Sequence, residues 1–154
     1  MITTQILLGV NEDDLKEVRA IRHTVFCVEQ QIDENIEKDG CDPSAVHVLV
    51  CCDNLPAATG RLLVQDEFII GRVAVLPEYR GRRIGDLVVR LLIRTAYEMG
   101  GEQQVAHVQL GVKGFYDKLG FKAVGDIYEE AGIEHITMVH NGDVAGKCED
   151  SRQK

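Results

Sequence analysis

The turn in residues 73–85 constrains this 154-residue chain more than any other sequence feature. It reads VAVLPEYRGRRIG, in which a β-forming run leads into a basic, glycine-containing turn and then into residues with helical apolar spacing. Backbone N–H groups at a helix N-terminus lack intrahelical acceptors and lie at the positive end of the helix dipole. Gly81 and Gly85 would allow a ligand to approach the backbone closely. The pattern therefore predicts an anion-binding turn between a strand and a helix, although a basic turn that only caps a helix is the simpler alternative.

This turn is neither a Walker loop, which needs Gly-Lys-Ser/Thr, nor a Gly-x-Gly-x-x-Gly fingerprint. Residues 80–85 instead resemble the coenzyme A signature of the GNAT acetyltransferase superfamily, Gln/Arg-x-x-Gly-x-Gly/Ala, with Arg83 standing where the pattern prefers glycine. The resemblance implies that the turn holds the pyrophosphate of acetyl-CoA and that the preceding strand pairs with the pantetheine amides. The residues concerned are Arg80, Gly81, Arg82, Arg83, Ile84 and Gly85 in the turn, and Val73, Ala74 and Val75 in the strand.

Composition limits the partners of the chain. Its net charge of -8 argues against a nucleic-acid or membrane surface, so the basic turn is a local exception that suits a small anion. The five cysteines show no spacing typical of a metal site, and their odd number suits a reducing cytoplasm. No signal peptide or membrane-length apolar segment is apparent, so we expect a cytoplasmic protein without a metal.

The order of apolar patterns predicts a mixed α/β fold in one domain, residues 1–140, followed by a polar tail, residues 141–154. Strands are expected at 2–9, 46–52, 57–64, 68–76, 102–110, 120–128 and 134–140, and helices at 11–30, 84–99 and 112–119, with a break near His23 and a long loop at 31–45. This order matches that of GNAT proteins. The resemblance implies a central, mostly antiparallel sheet of six to seven strands with splayed fourth and fifth strands, flanked by about four helices.

Residues 114–121, GFYDKLGF, form a second motif, which resembles the Phe/Leu-Tyr-x-Lys-x-Gly-Phe segment of the same superfamily. The resemblance implies that Tyr116 lies beside the coenzyme sulfur and protonates the departing thiolate, whereas ordinary packing is the alternative. Gln109 stands where the family often has asparagine, and it shares a strand face with His107, a candidate base or an ordinary strand histidine. The family's fourth-strand carboxylate corresponds to Gly71 here, so a base must come from elsewhere. The adjacent Arg72 is expected to be a paired structural charge.

Residues 22–30, the acidic loop with Asp33 and Asp39, and residues 128–136 together look like a group of small bacterial GNAT proteins. The Arg-x-x-Val-Phe pattern within residues 22–30 is also similar to one in acyl-homoserine-lactone synthases. The resemblance implies an acceptor pocket walled by Arg22, Glu29, His47 and His135. An ion-paired helix face for the first two residues and hydrogen-bonded strand histidines for the others are the alternatives.

The sequence thus predicts an N-acetyltransferase that moves an acetyl group from acetyl-CoA to a primary amine by direct attack in a ternary complex. Its partner would be a small-molecule amine. A non-catalytic acyl-CoA-binding or sensing module of the same fold is the alternative. A second subunit often covers an exposed sheet edge in this fold, so a homodimer is one alternative for the oligomeric state.

Overall fold

A computed structural model describes residues 1–144. Residues 145–154, which include Cys148 and most of the expected polar tail, lie outside the described part. The chain forms one seven-stranded sheet in the order β1-β2-β3-β4-β5-β7-β6. The strands are β1 (Ile2–Leu8), β2 (Val46–Cys52), β3 (Leu55–Val64), β4 (Phe68–Val75), β5 (Gln103–Gln109), β6 (Lys122–Glu130) and β7 (Ile133–Asn141).

Four α-helices accompany the sheet: α1 (Lys16–Arg22), α2 (Glu34–Glu37), α3 (Ile84–Glu98) and α4 (Lys113–Lys118). A π-helix, His23–Glu29, continues α1 directly, which explains the break expected near His23. Short 3-10 turns cover Glu12–Leu15, Asp42–Ser44, Pro77–Tyr79 and Leu110–Val112. No helix of residues 1–144 combines the length and apolar character needed to span a membrane.

The segment 31–45 is not the irregular loop that its sequence predicts. It contains α2, which Asp33 begins by accepting a hydrogen bond from the Asn35 backbone N–H at 2.7 Å. A 3-10 turn follows at Asp42–Ser44. Elements of four and three residues are too short to show an apolar period, so the sequence pattern could not reveal them.

The sheet opens between β4 and β5. All other neighbouring strands pair antiparallel, whereas β4 and β5 run parallel and pair only from Phe68–Ile70 to Gln104–Ala106. Beyond this short contact β4 pairs only with β3, and β5 pairs only with β7. This confirms the mostly antiparallel sheet with splayed fourth and fifth strands.

A β-bulge in β4 lies just where the strands separate. Thr59 of β3 faces Ala74, and Arg61 faces Gly71, so β4 has one more residue than β3 across this stretch. Arg72, inside the bulge, has φ +49, which is an unfavourable backbone angle for a non-glycine residue. Bulges bend a strand and change the direction of its side chains, and this one stands beside the opening.

The sheet is buried on both faces. The larger core packs α3 and α4 against one face, with Val88, Leu92 and Ile93 of α3 fully buried. The smaller core packs α1 and the π-helix against the other face, around Leu15 and Val18. The adjacent Cys51 and Cys52 contact the smaller and larger core respectively, so they point to opposite faces as the strand pattern predicts.

Candidate active site

A cavity of about 410 Å³ occupies the opening between β4 and β5. Its walls come from both strands, from α4, from the π-helix and α2 on one side, and from the turn between β6 and β7 on the other. Of the residues predicted for the site, Val73, His107, Gln109, Tyr116 and His135 line it. The fold thus brings residues of β3, β4, β5, the π-helix, α2, α4 and the β6–β7 turn around one space.

The N-terminus of α3 is an uncapped group of donors. Its first intrahelical bond runs from the Leu87 N–H to the Arg83 carbonyl at 3.2 Å, and no side chain caps the helix. The N–H groups of Ile84, Gly85 and Asp86 therefore have no acceptor within the helix. The space beside Gly81 is open, because a Cβ there would have no heavy atom within 4 Å. These features fit a bound diphosphate.

Arg83 explains why the signature prefers glycine at its position. Its φ is +63, in the left-handed region that glycine adopts without steric cost. The backbone therefore makes the turn that the signature requires, but with some strain. The Arg83 side chain is 85 % exposed and makes only a long surface contact with the Asp86 carboxylate, at 3.8 Å, which a phosphate could replace.

Arg80 differs from the phosphate ligand that the motif predicts. Both of its terminal nitrogens donate to the Glu29 carboxylate at 2.7 Å, and Nε donates to the Val75 carbonyl at 2.9 Å. The hydrogen bonds from Arg80 hold the pKa of Glu29 below its ordinary value. Arg80 thus joins the turn to the π-helix, and Glu29, predicted on the acceptor wall, is committed to this ion pair. Arg82, which lies 5.6 Å from the Tyr79 ring, and Arg83 are better placed to meet phosphate oxygens.

Gly85 allows close packing rather than only backbone access. A Cβ at this position would lie 3.5 Å from the Phe115 ring and 3.5 Å from a Val75 methyl group. The start of α3 therefore lies against α4, next to Tyr116. In the strand itself, Val73 lines the cavity, while the Ala74 side chain is buried in the smaller core.

Tyr116 presents a protonated hydroxyl to the cavity. The residue is 7 % exposed, and its ring makes edge contacts with Phe115 and Phe121 at centroid distances of 5.1 and 5.3 Å. Burial raises the pKa of Tyr116 well above its ordinary value of 10. Within residues 1–144 the hydroxyl has no hydrogen-bond partner. The phenol can therefore donate its proton to a group that enters the cavity.

His135 has a defined tautomer. Its Nδ1 lies 2.7 Å from the Ile133 carbonyl, which can only accept, so Nδ1 carries a proton. The lone pair of the neutral ring is then on Nε2. Tyr128 stacks on the imidazole at 5.8 Å, and Gln109 is the residue opposite His135 on β5. The Gln109 amide in turn donates to the Gln30 side chain at 2.9 Å, which ties β5 to the residue after the π-helix.

His107 lies two residues before Gln109 on the same face. Its Nδ1 is 3.2 Å from the Thr137 hydroxyl, which can donate or accept, so its tautomer is not determined by this contact. The ring is more exposed than that of His135. Both imidazoles line the cavity and are chemically able to take a proton.

Residues 12–141 match the model of the family described as Acetyltransferase (GNAT) domain. The chain belongs to the GNAT acetyltransferase family. Protein YyaT of Bacillus subtilis (strain 168) is 34 % identical over 131 residues, which are 82 % of this chain and 88 % of that protein. Protein ElaA of Escherichia coli (strain K12) is 31 % identical over 124 residues, 77 % of this chain and 81 % of ElaA.

The solved structures agree with this assignment. The crystal structure of Escherichia coli ElaA matches 90 % of this chain and 99 % of its own with a TM-score of 0.82 at 28 % identity. An acyl-CoA N-acyltransferase from Pseudomonas aeruginosa shares the fold, with a TM-score of 0.81 at 24 % identity over 91 % of this chain and 99 % of that one. GNAT proteins use acyl-CoA as the co-substrate of acyl transfer, and the uncapped turn described above suits its diphosphate.

Three predicted acceptor residues of this GNAT protein, Arg22, Glu29 and His47, do not line the cavity. Arg22 is 1 % exposed and pairs with Glu37 and Asp42, and His47 is fully buried with its Nε2 3.1 Å from the Asp42 carbonyl. Burial lowers the pKa of His47, which favours the neutral ring. Arg22 and His47 therefore support the cavity wall from behind, and an acceptor could reach them only by displacing that wall.

The sequence did not reveal the network of charges that forms this wall. Arg61 donates to Asp39 at 2.8 and 2.9 Å and to Asp42 at 3.0 Å. Arg72, a paired charge as predicted, donates to Glu37 at 3.2 Å and to Asp39 at 3.3 Å. Burial alone would raise the pKa of Asp39 and of Asp42, but their bonds to the guanidinium groups outweigh it and hold both values below the usual range. The acidic character of the segment 31–45 was the available signal.

Proposed function

We propose that this GNAT protein transfers an acetyl group from acetyl-CoA to a primary amine by direct attack in a ternary complex. One observation carries the proposal: the uncapped start of α3 packs against Phe115, and the neighbouring Tyr116 faces the cavity. In this proposal, a donor for a phosphate group in the turn and a donor for a leaving group in the cavity would be neighbouring parts of one site. Acetyl-CoA has both a diphosphate and a thioester.

The residues divide the work between the two ends of this site. The turn from Gly81 to Gly85 would hold the diphosphate with backbone donors and with Arg82 and Arg83. The edge of β4 that faces the opening, around Val73, has no strand partner and is available to the pantetheine amides. Acetyl-CoA supplies the activated acyl group. Tyr116 would protonate the leaving sulfur.

The carboxylates of the cavity are compatible with an amine acceptor. Three carboxylates line it, Glu37, Asp39 and Glu130, against two guanidinium groups, Arg61 and Arg72. Glu37 and Asp39 are paired with these guanidinium groups, so the excess negative charge is that of Glu130, which is exposed and attracts a cation only weakly. The amine must become neutral before it attacks, and His135 Nε2, whose lone pair is unused, would accept the proton.

The proposal is tested by the release of free thiol from acetyl-CoA in the presence of phenethylamine, hexylamine, spermidine, glucosamine or a lysine-containing peptide. At least one amine should accelerate release, and mass spectrometry should show its acetylated product. Calorimetry should show that coenzyme A binds. Binding of coenzyme A without transfer to any amine would favour the non-catalytic acyl-CoA-binding module. The absence of coenzyme A binding would contradict both the acetyltransferase and the non-catalytic module.

The two histidines can be separated by a pair of matched variants. In His135→Asn the amide nitrogen can keep the bond to the Ile133 carbonyl while the group at Nε2 is lost. We expect kcat/KM for the fastest amine to fall by about 10²–10⁴, with the smallest loss at high pH, where the amine loses its proton to solvent. In His107→Asn, kcat/KM for the same amine should fall much less. If His107→Asn shows the larger loss, His107 is the base, as the sequence predicts.

A further inference from the structure

Glu37 has one carboxylate oxygen without a partner in a nearly buried position. Its side chain is 7 % exposed, and both of its guanidinium partners, Arg22 at 2.7 Å and Arg72 at 3.2 Å, contact the same oxygen, Oε2. Oε1 accepts no hydrogen bond within residues 1–144. Nor is it among the fully enclosed side-chain atoms that lack a partner, so it keeps accessible surface. Glu37 lines the cavity between β4 and β5, and we infer that the accessible surface of Oε1 belongs to that lining.

Asp39 and Glu130, the other two carboxylates of the cavity, differ from Glu37 in their partners and exposure. Asp39 uses both oxygens: Oδ1 accepts from Arg61 and from the Cys41 N–H, and Oδ2 accepts from Arg61 and Arg72. Glu130 is exposed to solvent, where a single charge contributes little to binding. Glu37 therefore offers the cavity an acceptor that is both unused and shielded from water. Hydrogen bonds to such a group are strong.

The opposite wall leaves room for a ligand at this carboxylate. Gly71 lines the cavity, and a Cβ on it would have no heavy atom within 4 Å. Arg72, the next residue, is one of the two arginines that donate to Glu37 Oε2. The carboxylate of α2 thus stands beside the bulge of β4, where the strand itself provides no side chain.

Besides the two guanidinium partners of Glu37, the cavity has apolar walls. Phe26, Ile32 and Ile36 line the same side of the cavity, and Ile69 and Ile133 line other parts of it. An amine that reaches Glu37 would place its carbon skeleton against these side chains. Burial of such groups contributes about 25 cal/mol for each Å² of apolar surface removed from water. A polyhydroxylated amine would gain little here.

We propose that Glu37 Oε1 is the acceptor-binding group of this protein and that it accepts a hydrogen bond from the nitrogen of a primary amine on an apolar stem. This inference rests on the proposed function and specifies its acceptor class. Phenethylamine and hexylamine represent that class, and glucosamine represents the polyhydroxylated amines that the apolar wall disfavours.

The test is the binding of phenethylamine in the presence of saturating coenzyme A, measured by calorimetry, together with the KM for phenethylamine. Glu37→Gln should weaken binding and raise KM about 10- to 100-fold, because a hydrogen bond to a charged group is lost. Coenzyme A affinity should not change. Wild-type protein should bind phenethylamine and hexylamine more tightly than glucosamine.

Asp42→Asn is the matched control. Asp42 also pairs with Arg22, but it does not line the cavity, so this variant disturbs the same charge network without changing the cavity oxygen. Its phenethylamine affinity should stay within about twofold of wild type. A second variant, Glu37→Gln with Gly71→Glu, returns a carboxylate to the cavity from β4 and should recover part of the affinity.

Equal phenethylamine affinity in wild type and Glu37→Gln would overturn the inference, as would equal losses in Glu37→Gln and Asp42→Asn. If Glu37→Gln does not fold, Glu37→Asp replaces it, since the shorter side chain keeps its charge but withdraws Oε1. Unchanged affinity in Glu37→Asp would then overturn the inference. Wild-type protein that binds phenethylamine and acetylates no amine would refute the proposed function alone.

Discussion

Replacement of Tyr116 by phenylalanine should lower kcat for amine acetylation by about 10²–10⁴, the usual contribution of a positioned acid. The substitution removes a hydroxyl that no residue within 1–144 binds, and it keeps the ring contacts with Phe115 and Phe121. Acetyl-CoA affinity and Tm should therefore remain close to wild type. Steady-state kinetics with the fastest amine, calorimetry and thermal unfolding measure the three quantities.

Tyr97→Phe provides the control for Tyr116→Phe. Tyr97 lies near the end of α3 and is 42 % exposed, so loss of its hydroxyl should change neither activity nor stability. A Tyr116→Phe enzyme with wild-type kcat would remove this hydroxyl from the mechanism. Water would then be the proton donor to the leaving sulfur.

Replacement of Arg61 by methionine should lower the free energy of unfolding by about 3 kcal/mol at pH 7, because Asp39 and Asp42 each lose a buried guanidinium partner, although Asp39 keeps Arg72 and Asp42 keeps Arg22. The Arg61 side chain is 5 % exposed, and its partners are Asp39 and Asp42. Chemical denaturation measures the loss. Arg94→Met is the control, since Arg94 pairs with Glu98 on the surface and should contribute no more than about 1 kcal/mol.

The loss of unfolding free energy caused by Arg61→Met should depend on pH in a defined direction. The pKa values of Asp39 and Asp42 in the folded protein are lower than their ordinary value of 3.8. Their contribution to stability is therefore complete above that value and is lost as the pH falls through the folded pKa values. The difference in free energy of unfolding between wild type and Arg61→Met should be largest near neutral pH and should decrease below about pH 4. A difference that does not change with pH would mean that Arg61 stabilises the fold by packing alone.

Local patterns were sufficient to predict the turn and the helix that the proposed function assigns to acetyl-CoA. The turn from Arg80 to Gly85 is continuous in sequence, and the helix that follows shows its apolar face over fifteen residues, Ile84–Glu98. The succession of strands also followed from apolar runs and turns. Each of these features depends on residues close together in the chain.

The cavity wall that the proposed function assigns to the amine depends on contacts between residues that are far apart in the sequence. Arg80 meets Glu29 from 51 positions away, and Gln109 meets Gln30 from 79 positions away. No periodicity predicts which charges will pair across elements. The motif therefore predicts that Arg80 binds a phosphate, whereas in the structure Arg80 pairs with Glu29. Arg22 is likewise predicted to line the cavity, whereas it lies buried behind the cavity wall.

The short contact between β4 and β5 has a mechanical consequence. The sheet is two half-sheets, one of four strands and one of three, joined edge to edge by the pairing of Phe68–Ile70 with Gln104–Ala106. In the proposed function, the pantetheine amides of acetyl-CoA would pair with the free edge of β4 beyond this short contact, in the place that another strand would fill. Binding of the co-substrate would then link the two half-sheets to each other.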